Sequence, residues 1–112
     1  MARRCEALFR RLEQGQETAR VLDLTLAEVV WTLQKYFGVD RRRIRDLLRP
    51  LLEFKGLKVA DKPSVLRALD VFGRQAVDFP DAYLAEVSKT LGVPVYSYAR
   101  DLSALKARRR EP

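Results

Sequence analysis

An α/β layered fold with parallel strands is predicted by three features of the sequence. Short β-rich runs alternate with longer stretches whose apolar residues recur at helical spacing. Those longer stretches lie between the strands, where the crossovers of a parallel sheet belong. The 112 residues carry no internal repeat and no low-complexity linker, which makes one domain with a modest core rather than two.

Each element has a local reason. Cys5, Leu8, Phe9 and Leu12 recur at helical spacing, and Gly15 stops that helix. Cys5 lies on the apolar stripe and is expected to be a buried small hydrophobe. Thr18 to Thr25 reads as a buried strand through Val21, Leu22, Leu24 and Leu26. The second helix carries the stripe Leu26, Val29, Val30, Leu33 and Phe37 and closes at Gly38. Trp31, Tyr36 and Phe37 are expected to pack. Asp40 is placed to cap a third helix with Ile44, Leu47, Leu48 and Leu51. Pro50 should kink or end that helix, since an interior proline costs about 3 kcal/mol.

Leu57 to Asp61 alternates as a short strand does, and Asp61 with Pro63 opens a helix through Val65, Leu66, Leu69 and Phe72. A further helix starts near Pro80, is expected to bury Leu84, Val87 and Leu91, and stops at Gly92. Val93 to Tyr98 forms the last strand, with one helical turn at Leu102 and Leu105 after it. The domain then spans residues 1–105, and 106–112 is a basic, frayed tail.

Composition narrows the chemistry. Hydrophobic residues at 47% and charged residues at 33% describe a globular chain rather than a disordered one. One cysteine and no histidine exclude an internal disulfide, cysteine–histidine zinc sites and histidine-based catalysis. Any metal must be held by oxygen ligands, which selects magnesium or manganese. The formal charge of +7 favours an anionic partner such as nucleic acid or an acidic protein. No signal-peptide segment and no apolar run of transmembrane length is present, so a cytoplasmic protein with no membrane contact is expected.

The candidate site residues are carboxylates set at helix starts amid apolar sequence, where charge is costly unless paired, hydrogen-bonded or bound to a cation. Glu28 lies about 200° around its helix from the apolar stripe, so it is either a solvated first-turn glutamate or a ligand. Asp78 with Asp81 three positions on approximates a capping box, with Pro80 in the first turn; Asp81 alternatively faces a cleft. Asp101, after the last strand, either caps the closing turn or joins a cleft at the strand ends. Arg41, Arg42, Arg43 and Arg45, with Arg49, form either a solvated basic face or a nucleic-acid contact. A helix-turn-helix through Leu26–Phe37 and Arg41–Arg49 is an alternative reading, although Ile44, Leu47 and Leu48 occupy much of its reading face.

Three segments in order carry a resemblance: Leu26-Ala27-Glu28-Val29-Val30-Trp31-Thr32-Leu33, Val77-Asp78-Phe79-Pro80-Asp81-Ala82-Tyr83-Leu84-Ala85, and Gly92-Val93-Pro94-Val95-Tyr96-Ser97-Tyr98-Ala99-Arg100-Asp101-Leu102. Together they resemble PIN domains, especially the VapC-type ribonuclease toxins of toxin–antitoxin pairs. The resemblance implies a three-layer fold with a short parallel sheet between helices. It also implies magnesium- or manganese-dependent cleavage of RNA, an antitoxin partner and homo-oligomers. Glu28 and Asp81 fall on two metal-site acids of the family, Asp78 on an accessory acid, and Asp101 near the late acid. Two departures accompany these matches. The family's central first strand, ending in an aspartate, is missing before residues that match its second helix, so the true start is expected upstream or the strand lost. Ala99 stands where the family has an acid. An inactive PIN-like module that binds an antitoxin or RNA is therefore the alternative to an active nuclease.

Overall fold

A computed structural model describes residues 2–93 and the strand backbone of 95–96 and 109–110. Helix α1, Ala2–Gln14, ends where Gly15 turns left-handed at φ 79°. The amides of Gly15 and Gln16 fold back there onto the carbonyls of Leu12 and Arg11. The predicted strand over Thr18 to Thr25 shrinks to β1, Ala19–Arg20, with Val21 donating one further bond to the Lys58 carbonyl. Helix α2, Asp23–Trp31, begins before the strand pattern ends. Leu24 is consequently turned outward and 70% exposed, while Leu26 is buried.

Strand β1 pairs in parallel with β2, Leu57–Lys58, Ala19 opposite Leu57. Gly56 makes the approach to this pair feasible. Its amide donates to Leu12 at 2.7 Å and its carbonyl accepts from Ala19 at 2.8 Å. Any Cβ at Gly56 would collide with the backbone carbonyls of Glu17 and Leu12. A second parallel pair joins β3, Val95–Tyr96, to β4, Arg109–Arg110. The short parallel pairing is as expected, but strands are not the main layer: the fold is mostly helical.

The core is built by α2, α3 (Arg41–Leu52), α4 (Lys62–Arg74) and α5 (Phe79–Leu91). Asp40 caps α3, accepting from the Arg43 amide at 2.9 Å, and Asp61 caps α4 through the Ser64 amide at 3.2 Å. Pro50 sits in the last turn of α3, which ends at Leu52. One lost backbone bond in a last turn is tolerable. Lys62 donates to the carbonyls of Phe54 and Leu57, fastening the entry to β2, and burial lowers its pKa.

Three packing expectations fail. Cys5 is exposed, because Leu12 is the part of α1 that reaches the core. Trp31 and Phe37 are 61% and 65% exposed, and Tyr36 is exposed beside Phe37. Residues Thr32–Tyr36 form a π-helical turn in which Leu33 still packs against the core while Tyr36 is exposed. On α5 the buried side is Phe79, Ala82, Ala85, Glu86 and Ser88, whereas Leu84 and Leu91 are exposed. Small residues admit a close neighbouring helix where leucines would hold it off.

Candidate functional site

Asp23 and Tyr83, 60 residues apart, anchor a groove on the surface. The Tyr83 hydroxyl donates to Asp23 Oδ2 at 2.9 Å, tying the first turn of α2 to α5. Burial, then the hydrogen bond to Asp23 and its charge, push the Tyr83 pKa up to about 12. The other oxygen, Asp23 Oδ1, is buried without a partner among the described residues. Between the two helices runs a groove of about 610 Å³, walled by Leu24 and Ala27 on α2 and by Pro80, Leu84 and Val87 on α5. A smaller depression of about 110 Å³ shares Ala27, Phe79 and Pro80 with it and is rimmed by Trp31, Gln34 and Asp78. The surface is apolar with a carboxylate at either end.

Phe79 forms the floor. Its ring stacks parallel to Tyr83, one helical turn on, at 6.3 Å and meets Phe72 of α4 edge-on at 6.4 Å. Asp78 occupies the N-cap position of α5 but makes no side-chain cap bond, so the capping-box expectation is not met by that side chain. Asp81 lies in the first turn and is partly buried. At 100° per residue it stands about 200° around α5 from Phe79, away from the groove.

Glu28 is exposed on α2, beside Thr25, Val29, Thr32 and Leu33 in a separate depression. It therefore shares no pocket with Asp78, which meets the opposite side of α2 through Ala27 and Trp31. Among the described residues no three acidic, cysteine or histidine side chains gather into a group that could hold a metal ion. Magnesium takes about six oxygen ligands at about 2.0–2.1 Å, of which commonly one or two are carboxylates and the rest water or phosphate. Glu28 and Asp78 line different depressions, while Asp78 and Asp81, three residues apart, share one face of α5. Asp101 and position 99 lie outside the described residues, as do the closing turn at Leu102 and Leu105 and most of the basic tail.

The basic run divides. Arg42 and Arg43 are exposed and flank a shallow depression with Asp40 and Asp46. Arg45 pairs with Asp46 at 3.1 Å and lays its stem over Gly73 of α4. Arg41 turns inward, its guanidinium over the Phe72 ring at 4.6 Å and Nη1 donating to the carbonyls of Gln75 and Val77.

Asp23 and Tyr83 went unnoticed in the sequence. An aspartate beginning a helix and a tyrosine on an apolar stripe each have an ordinary local account, and only the fold brings them together.

Against known families, the model described as the PIN domain matches residues 2–107. No curated protein gives a significant match, and neither does any solved structure. Among the described residues no helix is long and apolar enough to cross a membrane.

Proposed function

The chain belongs to the PIN domain family, a family of nucleases that are often VapC toxins, and from that premise we propose a VapC-like protein that binds a partner through the α2/α5 groove and cleaves RNA weakly or not at all. The observation that supports this reading is the division of the acids: Glu28 and Asp78 serve different pockets on opposite sides of α2. Metal-assisted phosphodiester cleavage requires carboxylates converging on an ion that activates water and offsets phosphate charge. In this reading Glu28 and Asp81, with Asp101, carry whatever magnesium or manganese affinity the chain has, and Asp78 is accessory. The family assignment takes the place of the helix-turn-helix alternative. Arg42, Arg43 and Arg45 remain the residues proposed to meet RNA.

The partner proposed for the groove is an antitoxin-type amphipathic helix with lysines or arginines beside its apolar face. Leu24, Leu84 and Val87 offer apolar contact, and Asp78, at the far side of the adjoining depression, offers opposite charge. The reading also includes self-association and a cytoplasmic location.

Trp31, the one tryptophan, reports on this surface. Titration with a leucine–lysine helical peptide is expected to shift its emission to shorter wavelength. Purified protein with manganese should leave single-stranded RNA intact, and any manganese binding should weaken in both Glu28→Gln and Asp81→Asn. Robust metal-dependent cleavage, abolished by Asp81→Asn, with no response to the peptide would overturn the binding-module reading. Equal manganese affinity in all three proteins would remove the acid assignment.

A further inference from the structure

We propose that Arg41 is the positioning residue of the α2/α5 groove, holding from behind both the backbone that enters α5 and the ring that forms the groove floor. The backbone contact comes first. Arg41 Nη1 donates to the carbonyl of Gln75 at 3.2 Å and to that of Val77, so one guanidinium nitrogen bridges two carbonyls of the turn between α4 and α5. The Val77 carbonyl belongs to the same rigid peptide plane as the Asp78 amide, so holding it sets the orientation in which α5 begins. Asp78 makes no side-chain cap bond of its own, and the long-range bond from Arg41 supplies the constraint that a cap ordinarily provides.

The second contact runs through rings. The Arg41 guanidinium lies over Phe72 at 4.6 Å, Phe72 meets Phe79 edge-on, and Phe79 stacks on Tyr83, which bonds Asp23 across the groove. One side chain at the start of α3 thus touches both routes by which α5 is placed against α2. A lysine reproduces neither well, because it lacks the planar fork that donates sideways while stacking face-on. Arg49, on the same helix, is the natural control: it bonds Leu66 and Asp70 of α4 and Glu53, none of them in the turn.

The groove's binding role rests on the function proposed above; Arg41's hold on the turn does not, and two measurements separate them. Hydrogen–deuterium exchange on the full chain compares wild type with Arg41→Met, Arg41→Lys and Arg49→Met, at a temperature where circular dichroism shows all of them folded. Amides of residues 76–83 are expected to exchange about tenfold faster in both Arg41 variants and at the wild-type rate in Arg49→Met. Affinity for the leucine–lysine peptide, read from Trp31 emission, should fall about tenfold in Arg41→Met and stay unchanged in Arg49→Met. Unchanged exchange at 76–83 in Arg41→Met, or equal acceleration in Arg49→Met, overturns the proposal. If Arg41→Met does not fold, Arg41→Lys decides by the same criterion. A wild-type protein that ignores the peptide but shows the exchange pattern rejects the groove partner and retains the positioning role.

Discussion

Tyr83 shows how a side chain with an ordinary sequence address acquires a special role from its surroundings. Burial and the Asp23 carboxylate both disfavour the phenolate, raising the pKa from 10.0 to about 12. The sign follows directly. The neutral phenol is the bonded form, so its contribution to stability is fully present below about pH 10 and is lost as pH rises through about 12. Tyr83→Phe should cost about 1 kcal/mol near neutral pH. In urea melts the gap between wild type and variant should narrow between pH 10 and 12; a constant gap would mean that Tyr83 has the same pKa folded and unfolded. At this scale the sequence was legible where the interaction is local. Asp40 and Asp61 reach amides three residues away, and both caps form as their spacing predicts. Arg41, by contrast, looked like part of a charged run, and its partners lie 34 and 36 residues on. No local rule reaches that far.

The two capped and uncapped starts make a matched test at the level of elements. Asp61 caps α4 through its side chain, whereas Asp78 stands at the N-cap of α5 without doing so. Asp61→Ala should therefore lower stability by about 1 kcal/mol, and Asp78→Ala by only a few tenths. Thermal melts of both variants check this, and equal losses would show that Asp78 caps in solution. Helix existence was readable for the described helices, because apolar periodicity, proline at the first turns and glycine at Gly15, Gly38 and Gly92 are local signals. Which face of a helix is buried was not. On α5 the leucine stripe invited the wrong choice: alanine positions permit α4 to approach, and leaving Leu84 exposed furnishes a wall of the groove. The strand at Thr18 to Thr25 failed for a related reason, since Leu22 and Leu24 suit either a strand or the first turn of a helix.

At the scale of the whole molecule, unburied apolar surface is the dominant fact. Leu24, Trp31 and Phe37 are each more than 60% exposed, and Phe9 of α1 is half exposed. Leu24 and Trp31 line neighbouring depressions between α2 and α5, and an apolar surface of that kind is ordinarily covered by a partner. Light scattering over a concentration series is expected to give a mass above the 12.9 kDa of one chain, rising with concentration. A cooperatively melting monomer at every concentration would reject self-association. The sequence by itself determined the order of the described helices, the caps and stops, the oxygen-only choice of metal ligands and the family pattern, because each depends on neighbours a few residues apart or on residue types alone. Tertiary structure alone decided that the strands stay short, that Glu28 and Asp78 part company across α2, that Arg41 turns inward and that Tyr83 finds Asp23. Those outcomes depend on how close two helices can pack, and that distance is set by side chains far apart in the chain.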